Sequence, residues 1–138
     1  EPLLRGARAT AHDLGITDDA LDIVRVPGAF ELPQAARRLA GIGGYDAIVC
    51  LGAVVRGETP HFDYICSEAA RGATLVSQEF DFPVTFGVLT CDTMEQARAR
   101  AGGSGGNKGD EAMRAAVETA NVFRAISVGV GEHGGART

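Results

Sequence analysis

The chain has 138 residues, of which 45% are hydrophobic and 22% charged, and its formal net charge is −5 at pH 7. This length suits one domain that buries roughly 68% of its unfolded surface. No run of about 18 or more apolar residues occurs, which excludes a membrane-spanning helix, and the acidic balance argues against a nucleic-acid backbone as the main partner.

The first half of the chain alternates helix-like and strand-like segments. Apolar residues at helical spacing predict a helix over residues 2–14, and "LDIVRVPG" predicts a short strand that ends at Pro27 and Gly28. "FELPQAARRLAGIGG" predicts a second helix. The near-continuous apolar run "YDAIVCLGAVV" is typical of a central parallel strand buried on both faces.

The second half continues this alternation. Residues 62–80 give the longest predicted helix, and "PVTFGVLTC" gives the next buried strand. Thr93 and Gln96 form a capping box for the helix "TMEQARARA". "GGSGGNKG" is a flexible or anion-binding loop before a last helix over residues 110–125. We assign residues 1–125 to one domain and residues 126–138 to an extension, with a strand at 126–130 and a disordered tail.

Alternating strands and helices predict an α/β fold, a three-layer αβα sandwich around a parallel sheet. Ligands of such sheets collect outside the carboxyl ends of the strands. Those ends are Pro27–Glu31, Gly52–His61 and Thr90–Thr93. The sequence therefore places a shared pocket at this edge, although each segment alone also fits an ordinary connection.

Candidate chemistry concentrates in "RGETPHFDY". Gly57, Glu58 and Thr59 precede a long helix, whose N-terminal N–H groups suit a phosphate, but ordinary helix capping explains them equally well. His61 suits a general base because its reference pKa of about 6.5 lies near working pH. A histidine that merely bonds the backbone is the alternative.

Two further regions carry candidate site residues. Phe30 and Glu31 follow a predicted strand and suit a flat ring and a polyol, unless Phe30 is core and Glu31 only favours the helix start. Arg100 and Lys108 flank the glycine-rich loop. Either could bind an anion, or both could be ordinary surface charges. Phe86 lies inside an apolar strand and is expected to be buried.

Cysteine and histidine usage indicates neither a disulfide nor a metal. Cys50, Cys66 and Cys91 have no paired or metal-type spacing, and the three histidines are scattered. We expect Cys50 and Cys91 to pack as small hydrophobic residues. This usage favours a reducing cytoplasm.

Five motifs in order resemble the lumazine synthase family of riboflavin biosynthesis, over Leu3–Phe123. They are "VPGAFELP", "YDAIVCLGAVVRGETPHFDY", "PVTFGVLTCDT", "QARARAG" and "GNKG". The resemblance implies a flavodoxin-like sheet of four strands and no cofactor or metal. It also implies condensation of 5-amino-6-ribitylaminouracil with 3,4-dihydroxy-2-butanone 4-phosphate, giving 6,7-dimethyl-8-ribityllumazine, phosphate and water.

The resemblance also implies roles for particular positions of this sequence. His61 would transfer protons, and Arg100 would be the countercharge of the phosphate. Substrate-binding positions from the same protomer would be Phe30, Glu31, Ala53, Val54, Val55, Gly57, Glu58 and Thr59. A neighbouring subunit would supply Phe86, Arg100 and Lys108.

The family differs from this sequence at both ends. Its members begin with a strand whose carboxyl end supplies a stacking aromatic, whereas this sequence starts at the helix that follows. We expect that strand to be absent or replaced by residues 126–130. Family members form pentamers, and some close into 60-subunit shells; the compact "GGSGGNKG" resembles the shell-forming members. An inactive or engineered cage-forming structural subunit is the alternative to an active enzyme.

Overall fold

The computed structural model describes residues 1–57 and 61–129. Within these residues the helices are α1 (Pro2–Asp13), α2 (Leu32–Ile42), α3 (His61–Phe80), α4 (Met94–Ala99) and α5 (Lys108–Val128). The strands are β1 (Ile48–Val55), β2 (Val84–Cys91), β3 (Ala101–Gly103) and β4 (Gly106–Asn107). Short 3₁₀ turns occur at Asp18–Ala20 and Ala29–Glu31.

The centre of the molecule is a parallel pair of strands. β1 and β2 pair in register from Ile48 opposite Val84 to Val55 opposite Cys91. Helix α3 connects them, as a parallel pair requires a crossover. Because both strands run the same way, their carboxyl ends meet at one edge of the sheet.

Different helices cover the two faces of this sheet. Alternate residues of β1 face opposite sides: Leu51 packs with the cluster of α1 and α5 that contains Met113, whereas Cys50 packs with Ala36 of α2 and Val76 of α3. Helices therefore lie on both faces of a parallel sheet. This confirms the predicted α/β fold and its three-layer arrangement.

The strand predicted from "LDIVRVPG" is wrong. Residues 21–26 have no regular secondary structure, and Ile23 and Val24 are 46% and 54% exposed. A strand needs a neighbour for its N–H and C=O groups, and among the described residues β1 pairs only with β2. The described sheet accordingly has two long strands. The family's sheet has four, of which we expected the first to be absent here or replaced by residues 126–130.

The end of the described chain also differs from the sequence prediction. Helix α5 continues to Val128, so the strand proposed at 126–130 is wrong for residues 126–128, and the rest of the tail lies outside the described residues. No strand of the described residues pairs with this segment. Its backbone is satisfied within the helix, where the Gly129 N–H donates to the Ala125 carbonyl. It therefore does not replace a strand of the sheet.

The glycine-rich segment is a hairpin rather than a flexible loop. β3 and β4 pair antiparallel, and Asn107 then caps α5, its Oδ1 accepting the N–H groups of Gly109 and Asp110 at 2.8 and 3.1 Å. Its Nδ2 donates to the Pro2 carbonyl at 3.2 Å. One side chain thus joins the hairpin to the starts of α5 and α1.

Helices α1 and α5 approach closely at a glycine. A Cβ on Gly109 would lie 2.0 Å from the Leu3 carbonyl oxygen, a backbone atom that cannot rotate away. We expect Gly109→Ala to lower the free energy of unfolding by about 1–3 kcal/mol through overpacking. Gly41→Ala is the matched control in α2, where a Cβ meets nothing within 4 Å, and it should raise that free energy by about 0.4–1 kcal/mol. Urea unfolding measures both; equal effects would contradict the close contact.

The cysteines divide into two buried residues and one partly exposed residue. Cys50 and Cys91 are 3% and 5% exposed, as predicted, and Cys66 on α3 is partly exposed. Burial raises the pKa of the Cys50 thiol to about 11. At pH 8 about one Cys50 in a thousand is therefore the reactive thiolate.

We expect N-ethylmaleimide at pH 8 to modify Cys66 well before Cys50 and Cys91, because Cys66 is partly exposed in the folded chain whereas the other two are buried. Peptide mass spectrometry at successive times gives the order of modification. In concentrated urea all three should react. Modification of Cys50 as fast as Cys66 in the native protein would contradict this core.

Candidate active site

A pocket lies between the segment that follows residues 21–27 and the first turns of α3. Its volume is about 280 Å³, and it is lined by Gly28, Ala29, Phe30, Glu31, His61, Tyr64 and Ile65. Three of the residues singled out in the sequence, Phe30, Glu31 and His61, thus meet in one cavity. The topological argument placed them at the same edge of the sheet, and the fold brings two of its three segments together there.

A single 3₁₀ turn positions Phe30 and Glu31. The Glu31 N–H donates to the Gly28 carbonyl at 3.2 Å, and α2 begins at the next residue, Leu32. Phe30 is 47% exposed, so it lines the pocket and is not part of the core. The turn therefore presents an aromatic ring and a carboxylate side by side.

Gly28 leaves room for this carboxylate. A Cβ on Gly28 would lie 3.2 Å from Glu31 Oε1, closer than ordinary van der Waals contact. The Gly28 backbone is extended, with φ −161°, so glycine is not required there by backbone strain. Its contribution is space for the Glu31 side chain at the pocket wall.

His61 is the first residue of α3 and is exposed at the pocket. The N-terminus of a helix carries a partial positive charge, which favours anions nearby. Gly57 is exposed, with no atom within 4 Å of a Cβ placed on it. Glu58 and Thr59 lie outside the described residues.

Tyr64 and Ile65 line the pocket without having been identified as site residues in the sequence. They follow His61 by three and four positions, the spacing that places side chains on the same face of a helix. This spacing was available in "HFDYI" and would have found them. Tyr64 is 68% exposed, which leaves its hydroxyl accessible at the mouth of the pocket.

Other residues implied by the resemblance lie elsewhere on this protomer. Phe86 packs beside the cluster of Cys50 on the α2–α3 side of the sheet. Arg100 is exposed at the end of α4, and Lys108 Nζ lies 3.9 Å from the Glu111 carboxylate at the start of α5. Ala53, Val54 and Val55 form the carboxyl end of β1, opposite Leu89, Thr90 and Cys91. None of these six residues lines the pocket.

The pocket is apolar with few charged groups. Among its described lining residues, Glu31 and His61 are the titratable groups that sit beside Phe30 and Ile65, with Tyr64 at the rim, and no lysine or arginine lines it. Such a wall suits a flat ring that carries polar substituents. A phosphate bound here would need a cation from another source.

The described residues show neither a metal cluster nor a membrane-spanning helix. No group of three or more His, Cys, Asp or Glu side chains in residues 1–57 and 61–129 is arranged to hold a metal ion. Within the same ranges, no helix combines the length and apolar character needed to cross a membrane.

Comparison with known proteins assigns a family to this architecture. The family model for 6,7-dimethyl-8-ribityllumazine synthase matches residues 1–124. Proteins named 6,7-dimethyl-8-ribityllumazine synthase from Anaeromyxobacter sp. (strain K) and Anaeromyxobacter dehalogenans (strain 2CP-1 / ATCC BAA-258) are each 53% identical over 127 residues, or 92% of this chain and 78% of theirs. The match includes both segments that line the pocket.

Proposed function

Because this chain belongs to the 6,7-dimethyl-8-ribityllumazine synthase family, we propose that it catalyses a condensation in riboflavin biosynthesis. The substrates are 5-amino-6-ribitylaminouracil and 3,4-dihydroxy-2-butanone 4-phosphate. The products are 6,7-dimethyl-8-ribityllumazine, phosphate and water. The observation that carries the proposal is the pocket in which Phe30, Glu31 and His61 meet.

The pyrimidine substrate fits the chemistry of this pocket. Phe30 offers an apolar surface to the flat ring, and the Glu31 carboxylate accepts hydrogen bonds from the ribityl hydroxyls. We assign backbone contacts with the ring to Ala53, Val54 and Val55 at the end of β1. The volume of about 280 Å³ lies near the lower limit of small-molecule sites, which span ~300–1,000 Å³.

The reaction asks for proton transfer rather than for a nucleophile of the protein. A substrate amine attacks the ketone, and water leaves as the imine forms. Phosphate is then eliminated, and the second amine attacks the remaining carbonyl and closes the ring with loss of a second water. Each step moves protons, and the His61 imidazole at the pocket is the group suited to accept and return them. Holding two substrates in position supplies much of the remaining acceleration.

The phosphate group requires positive charge that the described lining of the pocket lacks. We assign its backbone contacts to Gly57, Glu58 and Thr59, which precede α3 in the sequence. Its countercharge would be Arg100 of a neighbouring protomer, accompanied by Lys108 and Phe86. The exposed position of Arg100 at the end of α4 supports this assignment because it leaves the guanidinium available to another copy.

A site shared between protomers requires an oligomer, and we propose a pentamer that can also assemble into a 60-subunit shell. Large apolar side chains on the protomer surface support an assembly, among them Ile42 and Val128, which are 71% and 82% exposed. We place the protein in the cytoplasm, which its three unpaired cysteines support.

The proton-transfer role of His61 is tested by substitution. We expect His61→Ala to lower kcat by ~10²–10⁴-fold, the usual contribution of general acid–base catalysis. His12→Ala is the matched control, since His12 lies on α1 and its Nε2 is 2.8 Å from Asp18; its kcat should not change. Spectrophotometric appearance of the lumazine product gives both rates, and a wild-type rate for His61→Ala would end this assignment.

Ligand binding separates an enzyme from a structural subunit of the same fold. We expect calorimetry to show that a ribitylaminopyrimidine analogue binds the wild-type protein, and that Glu31→Ala weakens binding by ~10-fold or more through the lost hydrogen bonds. Binding by Glu31→Ala equal to wild type would contradict the role of Glu31. Assembled particles that bind no analogue would favour a cage-forming structural subunit.

A further inference from the structure

Arg56 lies where the carboxyl ends of β1 and β2 meet the first turn of α3. It follows β1 directly, and its backbone N–H donates to the Cys91 carbonyl at 2.8 Å, which extends the β1–β2 ladder by one bond. Its backbone is therefore fixed to the carboxyl end of β2. The start of α3, at His61, follows a few residues later in the chain.

The Arg56 side chain contacts residues on two different elements. Its Nε lies 2.7 Å from Asp92 Oδ1, and its guanidinium nitrogen NH2 lies 3.7 Å from Asp63 Oδ1 in the first turn of α3. The guanidinium carbon lies 4.4 Å from the centroid of the Phe62 ring, within the range of a cation–π contact. Arg56 thus holds the two residues that come directly after His61.

Asp92, the carboxylate that pairs with Arg56, is itself held in place by a hydrogen bond. The Asp92 N–H donates to Gln96 Oε1 at 2.8 Å, and Gln96 belongs to the capping box that begins α4. Asp92 cannot move without disturbing that cap. A continuous set of contacts therefore leads from the start of α4 through Asp92 and Arg56 to the start of α3.

The charge of Arg56 is permanent. The hydrogen bond to Asp92 raises the pKa of its guanidinium above the usual value, and the charges of Asp63 and Asp92 act in the same direction. A planar guanidinium bonds two carboxylates and stacks on a ring together, which the point charge of a lysine does not reproduce.

An ordinary surface ion pair is the alternative interpretation. The side chain of Arg56 is 48% exposed, and ion pairs between exposed side chains stabilise proteins only weakly. The contacts of Arg56 therefore add little to global stability. Their position beside His61 is what distinguishes them, because a displacement of about 1 Å at a reacting group costs ~10²-fold in rate.

We propose that Arg56 is a positioning residue, which fixes the first turn of α3 against the carboxyl end of β2 and thereby sets the location of the His61 imidazole. This inference rests on the proposed function for its effect on rate. It does not depend on that function for its effect on the His61 side chain itself.

The chain contains a matched control for this arrangement. Arg37 of α2 forms an ion pair with Glu79 and lies over the Phe80 ring, with 5.7 Å from its guanidinium carbon to the centroid. These are the same kinds of contact at the opposite end of α3. Arg37→Ala should therefore show the effect of losing an ion pair and a ring contact at a position remote from His61.

The kinetic test compares Arg56→Ala and Arg56→Lys with Arg37→Ala. We expect Arg56→Ala to lower kcat by ~10–10²-fold, Arg56→Lys to restore little of it, and Arg37→Ala to leave kcat within about twofold of wild type. Asp92→Asn is a second variant for the case in which Arg56→Ala folds poorly. It keeps the shape of the Asp92 side chain and removes the charge that faces Arg56. Urea unfolding should show similar small losses for Arg56→Ala and Arg37→Ala.

Two further measurements distinguish positioning from a general loss of structure. In the His61→Ala background, Arg56→Ala should lower kcat by less than about twofold, since its effect acts through the missing imidazole. The rate at which diethyl pyrocarbonate modifies His61, followed by mass spectrometry with His12 as internal reference, should rise several-fold in Arg56→Ala and not in Arg37→Ala.

The outcomes separate this inference from the proposed function. An inactive wild-type protein would overturn the proposed function, and an unaffected His61→Ala would end the proton-transfer role of His61. In either case the modification rates would still decide the role of Arg56. Unchanged kcat and unchanged His61 modification in Arg56→Ala would overturn the inference. Additive losses in the double variant would overturn it as well.

Discussion

The parallel pairing of β1 with β2 is the constraint on which the rest of the structure depends. It directs both carboxyl ends to one edge of the sheet, where α3 begins after β1 and Asp92 follows β2. It also sends alternate side chains to opposite faces, so that each face carries apolar groups for a different pair of helices. The pocket and the contacts of Arg56 both form at the edge that this pairing defines.

Most of the helices and both long strands could be predicted because their signals are local. The apolar spacing of α3 and the continuous apolar run of β1 identify their own structure within a short stretch of sequence. Residues 21–26 carry an equally good strand pattern and still do not form a strand. Their hydrogen bonds depend on a neighbour, which the pattern itself cannot specify.

The bounds of several helices and strands depend on single contacts that could not be predicted from the sequence. "GGSGGNKG" contains enough glycine to indicate a mobile loop, yet Asn107 bonds three backbone groups and orders a hairpin there. Residues 126–128 favour a strand by composition but extend α5. Long-range context decided each case against local propensity.

The part of the candidate site that follows from the topology of the sheet could be predicted from the sequence. The rule for carboxyl ends placed Phe30, Glu31 and His61 together, although the strand predicted before Phe30 does not form. Helical spacing would have added Tyr64. The pairing of Arg56 with Asp92 had no sequence signal, because 36 positions separate the two residues. Phe86, Arg100 and Lys108 do not line the pocket of their own chain, so the role proposed for them requires a neighbouring subunit.

The proposed sharing of site residues between subunits determines how catalysis responds to dilution. A protomer by itself presents an aromatic, a carboxylate and an imidazole, the groups to which the proposed function assigns the pyrimidine, but no lysine or arginine in the described wall of its pocket faces the ketose phosphate. In the proposed arrangement, the fold of a single subunit binds the pyrimidine, whereas binding of the ketose phosphate requires contacts from a second subunit. Dissociation into single subunits would then abolish turnover while each subunit stays folded and still recognises the pyrimidine.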